Sequence, residues 1–354
     1  MKGILLHAGH GTRLRPLTHT GPKQLLPIAN KPMSQYCVES MKEAGVSEIA
    51  MIIGGIGSNK VRDYYEDGKK FGVKITYIEQ DSPKGIAHAI GLCRDFIGNE
   101  KFLVFLGDNI IHKNIHDYSD QFLNSDDDAS ILLCEVENPS RFGIADMKNG
   151  KITQIMEKPK DPPTNYAVTG IYFLTPKIFE VIENLKPSWR NELEITDALQ
   201  VLLSQNDKIS YNIITDYWKD TGTPEDIIDA NRKILENNET YFYGEKTDDV
   251  TLTGSVSVGK GTKILGNSQI TGPVILGENC ILENARIGPN SSIGDNSKIT
   301  QSDIENSIVM SDCIINAPIK IRNSIISANS QIQIKNDSQN EKIFLLGEGT
   351  RIFL

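Results

Sequence analysis

Several short segments of this 354-residue chain combine residue types that handle phosphate. In Gly9-His10-Gly11-Thr12-Arg13-Leu14-Arg15-Pro16, a glycine turn follows an apolar run, so backbone N–H groups can approach an anion. Arg13 and Arg15 add guanidinium forks that match phosphate oxygens. The plain alternative is a strand-to-loop turn carrying solvated arginines. Lys23 stands in Gly21-Pro22-Lys23-Gln24-Leu25-Leu26-Pro27, a stiff loop that suits a phosphate-holding lysine. Asp108, in Gly107-Asp108-Asn109, and Asp220, in Trp218-Lys219-Asp220-Thr221-Gly222-Thr223, could share a Mg²⁺ with substrate phosphates. Alone, either aspartate reads as a turn or helix cap. Glu157-Lys158-Pro159 offers a carboxylate to sugar hydroxyls and a cation to a sugar phosphate, or is simply a solvated ion pair.

Other candidates fail on composition or position. Residues 254–261 approach the P-loop spacing but end in Gly261, where Ser or Thr must bind Mg²⁺. All histidines lie between His7 and His116, without an H-E-x-x-H pattern, and His7 reads as structural rather than as a base. The cysteines, Cys37, Cys93, Cys134, Cys280 and Cys313, include no C-x-x-C pair and read as reduced core thiols.

Positioning these segments requires a regular scaffold. Apolar runs at 3–6, 48–53, 73–78, 102–106 and 131–136 predict buried strands, and amphipathic stretches at 34–44, 59–71 and 86–96 predict helices between them. Strands at 151–156 and 168–174 and helices at 196–204 and 224–236 complete the pattern. This alternation predicts an α/β domain over 1–236, doubly wound (Rossmann-like) with a mostly parallel sheet. Its ligands belong outside the carboxyl ends of the strands, where the phosphate-handling segments fall. The polar stretch 237–249 reads as a linker.

From 250 to 354 the texture changes. Val258, Ile264, Ile270, Leu276 and Leu282 recur every six residues; after one five-residue step, Ile287, Ile293 and Ile299 continue the period. Such hexads, with glycine often following the aliphatic residue, predict a parallel β-helix. The period is ragged after 300, through Ile308, Ile314, Ile319 and Ile325, and the apolar ends at 343–346 and 352–354 read as a cap or an interface.

Composition narrows the functions further. Lys and Arg total 37 against 46 Asp and Glu, a net charge of −9 that argues against general nucleic-acid binding. The apolar runs are too short to cross a bilayer, so no membrane association is expected. The amino-terminal segment predicts no secretory signal, and with reduced cysteines this points to a cytoplasmic protein.

In this order, the segments at 9–16, 21–27, 80–87, 107–109, 141–145, 157–159, 168–172, 192–197 and 218–223 resemble the sugar nucleotidyltransferase (nucleotide-sugar pyrophosphorylase) family. Within it they look most like its long members that transfer thymidylyl groups to glucose 1-phosphate. The resemblance implies a Mg²⁺-dependent reaction of dTTP with glucose 1-phosphate, giving dTDP-glucose and pyrophosphate. It implies that Arg13 holds the triphosphate, and that Lys23 and Lys158 neutralise charge at the α-phosphate and sugar phosphate. Leu6, Gly9, Gly11, Thr12, Gln80, Gly85 and Asp108 would contact the nucleotide, with Gln80 reading the pyrimidine edge. Gly143, Glu157, Lys158 and Val168 would line the sugar phosphate pocket, and Asp108 and Asp220 would bind Mg²⁺. The chain departs from the family's usual A-G-G at His7-Ala8-Gly9, and carries Asn191 where a glycine is frequent.

The hexads resemble the left-handed β-helix of related bifunctional enzymes, where acetyl transfer uses a histidine. No histidine follows His116, so acetyl transfer by that route is not expected. The helix is instead expected to support a homo-oligomer, of which a trimer is one form. Two alternatives stand beside thymidylyl transfer: uridylyl transfer from UTP, and a non-catalytic pyrophosphorylase-like regulatory subunit.

Overall fold

The computed structural model describes residues 1–9 and 11–334; the apolar ends at 343–346 and 352–354 lie outside them. In chain order the elements before the hexads are β1 (Lys2–Leu6), β2 (Pro27–Ile28), β3 (Lys31–Pro32), α1 (Met33–Glu43), β4 (Glu48–Ile53), α2 (Ser58–Tyr65), β5 (Lys74–Glu79), α3 (Ile86–Gly91), α4 (Arg94–Ile97), β6 (Phe102–Leu106), β7 (Asn109–Ile111), α5 (His116–Leu123), β8 (Ala129–Glu135), β9 (Gly143–Lys148), β10 (Lys151–Glu157), β11 (Tyr166–Leu174), α6 (Lys177–Asn184), α7 (Ile195–Ser204), β12 (Ile209–Ile214), β13 (Trp218–Asp220) and α8 (Pro224–Glu236). Two expected helices are shorter than their apolar patterns. The first stops at Tyr65, where Glu66 turns to φ 49° and Gly68 to φ 84°. The second divides into α3 and α4 around Leu92 and Cys93.

The chain packs as two units, one of residues 1–11, 18–25 and 33–220, the other of 12–17, 26–32 and 221–354. The first unit is built on a sheet running β10-β9-β11-β6-β1-β4-β5, with β8 joined to β11 and β12 to β8. The segment β6-β1-β4-β5 is parallel, as alternation with helices requires. Around β11 the pairing is antiparallel, to β6, β8 and β9. Both sheet faces are covered. Ile4 and Leu6 join a core with Ile90, Ile178 and Leu199, whereas Leu5 joins one with Cys37, Val38 and Val61. The period-2 alternation of strand side chains divides β1 between two layers in this way.

The second unit contains α8 and the β2–β3 hairpin together with the hexads. Within this unit the fully buried Asn231 of α8 joins the hexad packing. Asn231 accepts from Ala29 N (2.8 Å) and Ser292 Oγ (2.9 Å), and donates to Asn290 O (3.1 Å). The hexads form three sheets of parallel strands, the arrangement of the left-handed β-helix. Its rungs begin inside the 237–249 stretch, where Glu245–Lys246 pairs with Lys263 and Ile264. Lys263 then faces Ile281, Ile281 faces Lys298, Lys298 faces Ile314, and Ile314 faces Gln331. Rungs of 18, 17, 16 and 17 residues explain the ragged period after 300: the corners shorten while the stacking continues. One corner stacks Gly261, Asn279, Asn296, Asp312 and Asn329, all at positive φ, a conformation that glycine, asparagine and aspartate tolerate best.

Candidate active site

Asp108 stands on the turn directly after β6, at the carboxyl end of the parallel segment. Its carboxylate pairs with the Lys23 ammonium and accepts from Asn109 Nδ2 at 3.0 Å. Burial alone would raise this carboxyl group, but Lys23 and the hydrogen bonds from Lys23 and Asn109 outweigh it and hold the group below the usual aspartate range. Both side chains of the ion pair are 14% exposed, so solvent screens it little. Gly107 is required beside it: a Cβ there would fall 2.8 Å from Leu6 O.

Asn109 ties the surrounding elements together. It is 2% exposed, and its Oδ1 accepts from Trp218 Nε1 (2.8 Å) and Gly170 N (3.1 Å). The antiparallel pairing of β7 with β13 sets Asp220 directly opposite Asn109. Backbones paired this way lie about 5 Å apart, so Asp220 is a neighbour of the Asp108 turn. The spacing of G-D-N and W-K-D-T-G-T thus becomes one structural feature. The resemblance gave Asn109 and Trp218 no role; their place in those two motifs was the available signal.

Beneath the glycine turn lies a buried polar group. Ser34 Oγ donates to Gln24 O (2.9 Å), which uses its only proton. Tyr65 Oη (2.6 Å) and His7 Nε2 (2.8 Å) therefore donate to Ser34 Oγ. His7 is the neutral tautomer with hydrogen on Nε2, and burial holds its pKa down at about 3. This fits a structural rather than a basic role. Gly9 at φ 135° and Gly11 at φ 55° supply the backbone freedom of the turn. Thr18 Oγ1 donates to Gly11 O at 2.8 Å. Thr12 and Arg13 continue the chain into the second unit, where the Arg13 guanidinium lies over Gly222. A Cβ on Gly222 would sit 3.2 Å from Arg13 Nη2. Leu6, 7% exposed, ends β1.

Glu157 and Gly143 are direct partners across β10 and β9. Glu157 accepts from Thr196 Oγ1 (3.0 Å) and Arg190 Nη1 (3.2 Å), with Lys158 Nζ at 3.3 Å. Arg190 also reaches Glu192 and Glu194. Burial and the nearby Glu157 charge raise the Glu194 carboxyl group. Lys158 is held at φ 41°, where non-glycine residues are strained by about 1–3 kcal/mol. Such strain clusters where a side chain must be aimed. Val168 precedes a register shift in the β8–β11 ladder, and Gly170, within that shift, donates its N–H to Asn109 Oδ1. Thr196 lies in the 192–197 segment and Arg190 just before it, but no local spacing predicts their contacts to Glu157, which span 39 and 33 residues.

Gln80 follows β5, is 5% exposed, and donates through Nε2 to His88 Nδ1 (3.0 Å) and Gly85 O (3.4 Å). Gly85, at φ 102°, packs so closely that a Cβ would fall 2.4 Å from Leu193 O. The first unit therefore brings together Asp108, Lys23 and Asp220; Glu157, Lys158 and Gly143; and Gln80 with Gly85. Arg13 and Thr12 belong to the second unit.

Residues 2–237 match the nucleotidyl transferase family. The full chain is 43% identical to the low-salt glycan biosynthesis nucleotidyltransferase Agl11 of Haloferax volcanii, covering all of both chains. It is 39% identical to a glucose-1-phosphate thymidylyltransferase of Streptomyces antibioticus, covering 99% of each. A solved putative glucose-1-phosphate thymidylyltransferase from Bacillus anthracis, in complex with a sucrose, superposes with a TM-score of 0.65 at 42% identity, over 68% of this chain and 98% of that one. By the match over its sheet domain and by its full-length relatives, the chain belongs to the nucleotidyl transferase family and is a nucleotidyltransferase.

Proposed function

We propose that the chain transfers a thymidylyl group from dTTP to glucose 1-phosphate, releasing pyrophosphate. The observation that carries this reading is the buried Asp108–Lys23 ion pair, with Asp220 across the β7–β13 ladder from the neighbouring Asn109, in a chain 39% identical end to end to a thymidylyltransferase. A phosphate oxygen of glucose 1-phosphate attacks the α-phosphorus in line. The bond to the bridging oxygen breaks, and that oxygen leaves with its electron pair on pyrophosphate. The work is positioning and charge neutralisation. Arg13 grips the β- and γ-phosphates, Lys23 neutralises the α-phosphate, and Lys158 holds the sugar phosphate. Glu157 and backbone at Gly143 and Val168 orient the sugar, while Gln80, Gly85, Leu6, Gly9, Gly11 and Thr12 seat the nucleoside.

Asp108 and Asp220 suit Mg²⁺: both are carboxylates, Asp108 is held ionised, and Mg²⁺ commonly takes only one or two protein carboxylates. When bound, the ion would shield the triphosphate charge. Lys23 occupies the Asp108 carboxylate until phosphate arrives. The β-helix serves assembly as a homo-oligomer, which sedimentation of the full chain would reveal. The chemistry is tested by pyrophosphate release with Mg²⁺ across dTTP, UTP and other triphosphates and a panel of sugar 1-phosphates. The highest kcat/KM is expected for dTTP with glucose 1-phosphate. Thymine and uracil differ by one methyl group, worth roughly 1–3 kcal/mol. A preference for UTP above about tenfold would replace thymidylyl by uridylyl transfer; silence with every pair would favour the regulatory-subunit reading.

A further inference from the structure

Gln80 carries an amide whose two ends present opposite hydrogen-bonding characters. Its nitrogen end faces two groups, Gly85 O and His88 Nδ1. A backbone carbonyl can only accept, so the end beside Gly85 O is the amine. That amine also meets His88 Nδ1 at 3.0 Å, so Nδ1 must accept and the ring proton must sit on Nε2. Burial, helped by the Lys84 charge and opposed by Asp81, lowers the His88 pKa and favours this neutral ring. The amide nitrogen is thus held by two acceptors. Its oxygen lies on the far side of the amide from both.

We propose that His88 is a positioning residue that locks the Gln80 amide with its oxygen toward the nucleobase, so that the site accepts bases carrying a ring N–H and rejects cytosine. The inference rests on the reading that Gln80 contacts the base. Uracil and thymine present N3–H to an acceptor, and Oε1 receives that proton. Cytosine presents an N3 lone pair and an exocyclic amine, so Oε1 would face a lone pair. The amide could serve cytosine only by turning over. That would take its nitrogen from both acceptors and put Oε1 against Gly85 O. Residue 88 lies on α3 and residue 80 after β5, and the pairing arises because Gly85 turns the chain between them at φ 102°. His88 acts through Gln80 rather than on the ligand.

The test is calorimetric binding of UDP, dTDP and CDP to the full chain, which needs no turnover, with kcat/KM for the matching triphosphates alongside. Wild type is expected to favour UDP and dTDP over CDP by at least about tenfold, because a site built around one hydrogen-bonding pattern discriminates strongly. His88→Leu removes the acceptor at Nδ1, and the ratio is expected to fall at least about tenfold. His88→Asn keeps an acceptor at nearly the Nδ1 position and is expected to retain most of the ratio. A melting temperature for each variant separates loss of fold from loss of selectivity. Gln80→Ala isolates the underlying reading. If it leaves the ratio unchanged, Gln80 does not read the base and the inference falls with that role. If Gln80→Ala collapses the ratio while His88→Leu preserves it, the base-reading role stands and the inference alone is overturned. Equal loss in the Leu and Asn variants would also overturn it, since packing rather than the acceptor would then be responsible.

Discussion

Replacing Asn109 by alanine is expected to destabilise the sheet unit far more than the loss of one polar side chain from a surface turn. Asn109 is 2% exposed, and its Oδ1 is the acceptor for both Trp218 Nε1–H and Gly170 N–H. Removing it leaves two buried donors without that acceptor, at about 1–3 kcal/mol each, so the expected loss is about 2–6 kcal/mol. Trp218→Phe loses one hydrogen bond but leaves Asn109 with its Gly170 donor, and should cost about 1–1.5 kcal/mol. In the double variant the indole N–H is gone, so the second change no longer strands it. The combined loss should fall short of the sum by about 1–2 kcal/mol. Urea unfolding followed by circular dichroism measures all four corners of the cycle. Additivity within about 0.5 kcal/mol would refute the argument that Asn109 and Trp218 act as one unit.

Asp108→Asn and Asp220→Asn should each lower turnover by at least about a hundredfold, through lost stabilisation of the phosphate charges, with the fold intact by circular dichroism; near-normal rates in both would remove the metal role. His7 predicts an acid-labile term. Its folded pKa is about 3, well below the unfolded value near ~6.5. The unfolded state therefore binds the proton first as pH falls, and stability is lost from about pH 6.5 downward, by about 1.5–2 kcal/mol between pH 6.5 and 5. His7→Asn should flatten that slope by close to one proton, and an unchanged slope would mean that His7 already protonates in the folded chain.

Much of this protein is legible in its sequence, because local rules write it there. Apolar runs bounded by glycine and charge give the strands of the parallel segment, and aliphatic hexads give the β-helix, since each rung buries its own residues in a repeating way. The positions of Lys23, Asp108 and Lys158 are legible for a related reason: Asp108 and Lys158 come just after strands, and Lys23 stands in a stretch bounded by glycine and proline.

What the sequence could not supply is everything that depends on long-range register. The β7–β13 ladder sets Asp220 opposite Asn109 across more than a hundred residues, and only that pairing makes two separated aspartates neighbours. Arg190 and Thr196 reach Glu157 because α7 and the preceding loop pack beside β10, a closeness no local pattern encodes. The direction of the Gln80 amide, and α8's place beside the β-helix, likewise follow from which acceptors and donors meet after folding. Residue type and spacing limit what each side chain can do; the partner it meets depends on strand register and helix packing, which satisfy buried polar groups collectively rather than one segment at a time.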